Sequence, residues 1–271
     1  MLFSLLSNTL GKYFLRKQQR STGVSEKELI KIAVKSMGLD ELGPFKPEER
    51  IIEYLLRNAA DEKLVRMSLT GFSEDAASES PAPGGGSVSA YVGALGVSLA
   101  VMVANLSSHK RGWDDRWEEF SNWAEEGEMI RRQLLALVDA DTLAFNRIMA
   151  AMGMPKGNDT EKAARSAAIQ EATRFAIEIP FKVMETVYSS MNLIKAMVEK
   201  GNPNSVTDAA VGALCARSAV LGAYLNVKIN AGGCEDRQWV EDILAKGSTI
   251  ENKTIALEKE IIQIANGKIG H

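Results

Sequence analysis

The 271-residue sequence has few of the residues that build disulfide frameworks or metal centres. Its two cysteines, Cys215 and Cys234, are too few for a disulfide framework and fit a reduced cytoplasm, where we expect the protein to be located. Its two histidines are His109 and the terminal His271, so a Cys/His metal site is implausible.

The sequence also has little net charge, few aromatic residues and no strand pattern of useful length. A formal net charge of -3 gives no indication of a nucleic-acid or membrane surface. Hydrophobic residues make up 45% of the chain, enough for a substantial core in one large domain, or in one domain with an appendage. Aromatic residues make up 6%, whereas Ala, Leu, Met, Glu and Lys are plentiful. This composition predicts an all-α fold.

The apolar N-terminus MLFSLLSNTL is followed by positive charges rather than preceded by them, which argues against a secretory signal. Ser25 and Glu28 have the spacing of a capping box and predict a helix that runs to Met37, with Gly38 as its stop. Pro47 predicts the start of a further helix.

The most informative stretch is PAPGGGS, residues 81–87, with the uncharged run that follows it to Ser108. Three glycines allow a tight turn, and Ser87 stands at an N-cap or first-turn position. We predict a central, nearly fully buried helix over residues 87–108, whose first N–H groups offer a seat for an anion or a ligand oxygen. A membrane span and a purely structural glycine turn stay open as alternatives. The glycine spacing excludes a Walker loop and a dinucleotide fingerprint.

Apolar spacing predicts four further helical regions. The first runs from about Trp113 to Met152, and the second lies on both sides of a break or kink at Pro180. The third runs from Val206 to about Ala231. The fourth has a break near Gly247 and ends before Gly267. In the first region, Asp141 falls on the apolar stripe, where a carboxylate has to be paired, hydrogen-bonded or functional.

Five phrases in one order resemble the cyclodeaminase domain of formiminotransferase-cyclodeaminase, a family that includes methenyltetrahydrofolate cyclohydrolase. They are PAPGGGSVSAYVGALG, NLSSHKRG (105–112), VDADTLAF (138–145), GNPNSVTDAAV (201–211) and GAYLNVKIN (222–230). The stretch GLDELGPFKPEERIIEYLL resembles the end of the formiminotransferase half. The resemblance implies a helical remnant of the transferase at 1–57, a linker at 58–67 and a cyclodeaminase-like domain at 68–271. We expect no transferase activity from this remnant.

The resemblance further implies a multi-helix up-and-down bundle of the cyclodeaminase type, assembled as a homodimer or higher oligomer. The implied activity is conversion of 5-formiminotetrahydrofolate to 5,10-methenyltetrahydrofolate with release of ammonia, in histidine degradation and one-carbon metabolism. This chemistry needs no metal and no nucleotide, so we expect no cofactor. Two alternatives stay open: a methenyltetrahydrofolate cyclohydrolase, and a non-catalytic helical subunit of a separate formiminotransferase. The transferase-like stretch favours the deaminase.

Three residues are predicted to be catalytic. Asp141 matches the family's aspartate before Ala-Phe and would stabilise a cation and relay protons, unless it is a buried ion-pair partner. Asp208 matches the Asn-x-x-Ser-Asp region, although Thr207 leaves the register open, and Ser205 with Asp208 equally fits a capping box. Lys110 matches the family's Lys-Arg pair and would orient the substrate or donate a proton. His109 ranks below it.

The predicted substrate-binding residues fall into three groups. They are Gly85, Gly86 and Ser87 at the glycine turn, Arg111 beside Lys110, and the asparagines Asn204, Asn226 and Asn230. Arg111 would attract the glutamate carboxylates of folate, unless it only complements a helix C-terminus. The asparagines would bond the pterin ring or bridge closely packed helices. The expected partner is a folate, polyglutamylated, with a separate formiminotransferase chain as a further candidate. No nucleic acid or membrane partner is expected.

Overall fold

The structure, a computed structural model, describes residues 2–41, 43–55 and 64–269. All regular secondary structure in these ranges is helical, which confirms the predicted all-α fold. The α-helices are α1 (Leu2–Lys17), α2 (Glu26–Ser36), α3 (Pro47–Arg50), α4 (Ile52–Leu55), α5 (Leu69–Ala76), α6 (Gly85–Ser108), α7 (Trp117–Met152), α8 (Asp159–Ser189), α9 (Met191–Lys200), α10 (Val206–Ala231) and α11 (Arg237–Ile269).

The chain divides into two compact units, which are described separately. The first unit comprises Met1–Glu62 and Val101–Glu128, and the second comprises Lys63–Ala100 and Met129–His271. Helices α6 and α7 therefore contribute residues to both units. The domain limits expected from the sequence resemblance stay a prediction.

In the first unit, α1 packs closely on α2. A Cβ at Gly11 would lie 2.7 Å from the carbonyl oxygen of Leu29, so the absence of a side chain permits this approach. The predicted N-cap of α2 is confirmed, because the Ser25 hydroxyl accepts a hydrogen bond from the Glu28 N–H at 3.3 Å. On the other face of α2, Ile30 and Val34 form a buried cluster with residues of the α3–α4 segment.

The loop between α1 and α2 is attached to α6 and α7 in the same unit. The Thr22 N–H donates to the Ser121 hydroxyl at 3.0 Å, and the Asn105 side chain donates to the Gly23 carbonyl at 2.9 Å. A side chain at Gly23 would collide with the backbone of Ala124. The carboxylate of Glu125 accepts a hydrogen bond from Thr22 and pairs with two basic residues of α1. Sequence segments far apart therefore share one packed core.

In the second unit, α10 packs against α8, α9 and α11, and it crosses α6 at closely apposed backbones. A Cβ at Gly96 or at Gly212 would lie 2.8 Å from the other glycine's carbonyl oxygen. Tyr224 of α10 packs against Gly247, where a Cβ would lie 2.5 Å from the ring. The predicted break near Gly247 is wrong, because this glycine makes room for a neighbouring ring inside a continuous helix. The helix also continues past Gly267, contrary to prediction.

Of the break or kink predicted at Pro180, the break is wrong, because α8 continues through this residue and ends at Ser189. A proline has no N–H, so in an α-helix the carbonyl four residues earlier loses its usual donor. That carbonyl belongs to Ala176, which is buried. The Asn230 side chain of α10 donates to it at 2.7 Å. A neighbouring helix thus supplies the hydrogen bond that the proline removes.

Helix α6 is less buried than predicted. Its small residues, such as Ala90 and Ala94, face inward, whereas Val88, Leu95, Met102 and Leu106 are 37% to 46% exposed. Helix α6 and the span Pro203–Ala231 are long and apolar enough to cross a membrane, and 61% and 50% of their most apolar windows are buried within the protein. Core helices of this kind meet the same criterion. The prediction of near-complete burial is therefore wrong for the chain by itself.

Candidate functional site

The glycine turn places the N-terminus of α6 next to a carboxylate of α7. The helix begins at the Gly84 carbonyl, which accepts from the Val88 N–H at 3.0 Å. The Ser87 N–H donates to Oδ2 of Asp141 at 2.8 Å, and the Ser87 hydroxyl lies 3.1 Å from the same oxygen. The hydroxyl also lies 2.9 Å from the Val138 carbonyl, so its single proton serves one of the two acceptors at a time.

Asp141 is largely buried, and its carboxyl group is perturbed. Burial raises its pKa above the ordinary value of 3.8, while the hydrogen bonds from the Ser87 hydroxyl and N–H oppose the increase. The other carboxylate oxygen faces Gly86, where a side chain would collide with it. The carboxylate also stabilises the positive end of the α6 dipole. Its position therefore suits both an interhelical cap and a proton carrier.

Asn226 approaches the same turn from α10. Its Nδ2 donates to the Gly222 carbonyl at 2.9 Å and would lie 3.2 Å from a Cβ at Gly85. The N–H groups of Gly85 and Gly86 have no hydrogen-bond partner among residues 2–41, 43–55 and 64–269. Two free donors thus lie between a carboxylate and a carboxamide, and this arrangement can bind a ligand carbonyl together with a neighbouring N–H group.

The structure separates Asp208 and Asn204 from this turn. Asp208 and Asn226 are 18 residues apart on the continuous helix α10, a distance of about 27 Å along its axis at ~1.5 Å per residue. The alternative interpretation of Ser205 as a cap is wrong, because its side chain caps nothing. The Asn202 side chain instead accepts from the Asn204 N–H at 3.2 Å. Asp208 is half-buried in the first turn, where its charge complements the helix dipole.

Asn230 lies one turn beyond Asn226, but its amide is engaged with the Ala176 carbonyl of α8. This contact agrees with the bridging role that sequence reasoning left open for the asparagines. A role of Asn230 in substrate binding stays a prediction.

Lys110 and Arg111 lie in the first unit, in the turn after α6. The Lys110 ammonium lies 4.1 Å from the centroid of the Trp113 ring, a cation–π contact. Neither basic side chain has a carboxylate partner in the described part of the chain. Gly112 has φ +83°, a left-handed conformation that favours glycine and turns the backbone sharply there. Both cations are therefore available to an anionic ligand.

Thr142, next to Asp141 on α7, is a polar residue near the site that the sequence did not single out. Its hydroxyl is buried and has no hydrogen-bond partner in the structure as described. In a helix such a hydroxyl commonly donates to the carbonyl four residues earlier, here that of Val138. The Ser87 hydroxyl lies 2.9 Å from the same carbonyl. The sequence shows Thr142 beside Asp141 but gives no indication that the Ser87 hydroxyl approaches its usual acceptor.

The chain is similar to known proteins over most of its length. The family profile described as "Formiminotransferase-cyclodeaminase" matches residues 68–249, and the profile described as "Formiminotransferase domain" matches residues 3–57. Formimidoyltransferase-cyclodeaminase of Mus musculus is 38% identical over 208 residues, which are 76% of this chain and 38% of that protein. Methenyltetrahydrofolate cyclohydrolase of Methylorubrum extorquens is 35% identical over 198 residues, 73% of this chain and 95% of that protein.

A solved structure has the same fold. The crystal structure of formiminotetrahydrofolate cyclodeaminase from Thermotoga maritima matches with a TM-score of 0.68 and 26% identity, covering 77% of this chain and 100% of that chain. The helical bundle expected from the sequence phrases is thereby confirmed. The chain spans less than half the length of the curated formimidoyltransferase-cyclodeaminases it matches, for example 42% of the Gallus gallus protein.

Proposed function

The chain belongs to the formiminotransferase-cyclodeaminase family, and from this premise we propose that it is a formimidoyltetrahydrofolate cyclodeaminase. The enzyme would convert 5-formiminotetrahydrofolate to 5,10-methenyltetrahydrofolate and release ammonia, as an ammonia-lyase in the cytoplasm. The observation that carries the proposal is the buried Asp141 carboxylate at the N-terminus of α6, with its raised pKa and with two free N–H groups beside it.

The reaction needs one group that accepts and returns a proton. N10 of the folate attacks the carbon of the formimino group, whose nitrogen is protonated, and the new N10–C bond forms as the C=N π electrons move onto that nitrogen. Asp141 takes the proton from N10 and delivers it to that nitrogen, which leaves as ammonia when the C–N bond breaks. The carboxylate also stabilises the cationic intermediate, and the Gly85 and Gly86 N–H groups donate to the pterin carbonyl. No metal or nucleotide takes part.

The test is formation of methenyltetrahydrofolate from purified 5-formiminotetrahydrofolate, followed by absorbance. Asp141→Asn should slow formation by about 10²–10⁴-fold, because an amide cannot exchange the proton. Asp159→Asn is the matched control, since the Asp159 side chain is fully exposed at the start of α8. Wild-type protein that forms no methenyltetrahydrofolate would contradict the proposal.

A second function is favoured by one observation. The Methylorubrum extorquens cyclohydrolase is matched over 95% of its length, so this chain contains the counterpart of nearly all of that protein. We infer that hydrolysis of methenyltetrahydrofolate is the alternative activity. Loss of methenyl absorbance in the absence of formimino substrate, without any deamination, would establish it. A chain inactive in both assays would instead fit a non-catalytic subunit of a separate formiminotransferase.

The proposal includes assembly as a homodimer or higher oligomer. Large apolar side chains are exposed on α6, at Leu95 for example, and on α10, where Leu225 is 64% exposed. A second copy that covers these faces would bring the glycine turn close to the subunit contact. Leu95→Glu should then yield monomers in sedimentation at micromolar concentration, whereas Leu69→Glu, on exposed α5, should not. Monomeric wild-type protein with full activity per chain would refute this part.

A further inference from the structure

A cavity of about 460 Å³ lies in the first unit, between α1, α2 and the turn after α6. Its wall includes four basic side chains, those of Arg20, Lys31, Lys35 and His109. Glu28 is the one carboxylate among the described residues that line it. The cavity therefore carries an excess of positive charge, in a protein whose net charge is slightly negative.

The acidic residues near the cavity leave part of this charge unbalanced. Glu28 lies 3.7 Å from the Lys31 ammonium, and Lys35 pairs at 2.8 Å with Asp40, which is not in the cavity wall. Arg20 has no carboxylate partner in the ranges that the structure describes. Burial, and then the nearby Arg20 charge, lower the pKa of His109. Arg20 and His109 thus share the cavity wall, and no described carboxylate balances the charge of Arg20.

The backbone holds Arg20 in place from both sides. Before it, Gln19 has φ +52°, a left-handed conformation that is uncommon for a residue other than glycine. The Arg20 N–H donates to the Leu15 carbonyl at 2.8 Å and so closes the end of α1. After it, Thr22 is buried and bonded to Ser121 of α7. Such local strain in a fixed loop is frequent at binding sites.

We propose that this cavity is an anion-binding site for carboxylate or phosphate groups, held by Arg20, Lys31 and His109. The Arg20 guanidinium has no carboxylate partner among the described residues and can form charge-assisted hydrogen bonds with such an anion. The Lys31 ammonium, which Glu28 approaches only to 3.7 Å, can add a second contact. All the described residues that line the cavity belong to the first unit, whereas Asp141 and the glycine turn belong to the second. The site is therefore additional to the turn at Asp141.

Two sources supply this chemistry. One is the glutamate chain of the substrate, because His109 directly precedes Lys110 and Arg111 in the sequence; this source rests on the proposed function. The other is a free anion such as inorganic phosphate, which needs no folate at all. The anion site itself can be tested without any assumption about the reaction.

The direct test is calorimetric titration of the full chain with tri-γ-glutamate and, separately, with inorganic phosphate at low salt. Wild-type protein should bind at least one of them saturably, and Arg20→Gln should weaken that binding about tenfold through loss of a charge-assisted contact. Lys27→Gln is the matched control, because Lys27 is an exposed lysine of α2 outside this cavity. Circular dichroism should be unchanged in both variants.

Steady-state kinetics then identify the source. If Arg20→Gln raises KM for triglutamylated but not for monoglutamylated substrate, the site holds the glutamate chain. If binding of the probe is lost while the two KM values change equally or not at all, the site serves a free anion. No saturable binding by wild-type protein, or equal weakening by Lys27→Gln, would overturn the proposal. An inactive protein that still binds the probes would contradict only the proposed reaction and not the anion site.

Discussion

The contact between Asn230 and the Ala176 carbonyl supports a double-mutant cycle with Pro180. Asn230→Ala removes the donor and leaves a buried carbonyl without a hydrogen bond, a loss of about 1–3 kcal/mol in the free energy of unfolding. Pro180→Ala restores an N–H one turn along α8, in position to donate to the same carbonyl. In the Pro180→Ala background, Asn230→Ala should therefore lower the free energy of unfolding by less than half as much as it does in the wild type. The two substitutions should be coupled by about 1–2 kcal/mol.

Urea denaturation of the wild type, both single variants and the double variant measures this coupling. Asn226→Ala is the matched control, because its amide bonds a carbonyl of its own helix and has no connection with Pro180. Equal losses of stability for Asn230→Ala in both backgrounds would refute the idea that the asparagine replaces the donor missing at the proline.

The same variants test the predicted role of Asn230 in substrate binding. If Asn230 binds the pterin, the double variant regains stability but keeps a raised KM.

Three further predictions concern the candidate site. Gly86→Ala should displace Asp141 and abolish activity. Gly84→Ala should be tolerated, because a Cβ at Gly84 would have no neighbour nearer than 3.9 Å. Equal activity of the two variants would contradict the geometry. The folded-state pKa of Asp141 is raised above 3.8, so the stability that this group contributes is present below that pH and is lost as pH rises through the folded-state pKa. The melting temperature of Asp141→Asn should therefore increase relative to that of the wild type as pH increases from about 4 to about 8. A melting-temperature difference that does not change with pH would argue against a buried, perturbed carboxyl group. Lys110→Ala should weaken binding of polyglutamylated folate more than of monoglutamylated folate, and more at low than at high salt, because ions screen the attraction; equal losses for both folates would make the lysine catalytic or structural.

The local signals in the sequence predicted most of the helices. The capping residue Ser25 and the bounds of α10, Val206–Ala231, were predicted correctly because both depend on neighbouring residues. Asp141 was predicted on an apolar stripe and is largely buried. Helix periodicity indicated this position, although Phe145, one turn further along the same stripe, is 38% exposed.

Features that depend on a distant partner were not predictable. Ser87 and Asp141 are 54 positions apart, and nothing local indicates that one will cap the other. Pro180 and Gly247 are helix breakers by propensity, but a carboxamide and an aromatic ring from α10 make both compatible with continuous helices. Tertiary contacts override propensity in both cases. The exposure of α6 was mispredicted because apolar composition does not say which molecule covers an apolar face.

The attachment of the α1–α2 loop to α7 has a consequence for dissecting the protein. The transferase-like residues cover Ser121 and Ala124 and supply both basic partners of Glu125. A recombinant fragment that starts at residue 68 would bare this side of α7 and leave an acidic side chain without its counter-ions. Truncation at the border between the two sequence families would therefore cut through a folded core. Exchange of N-terminal segments between relatives would succeed only when the matching surface of α7 is exchanged with them.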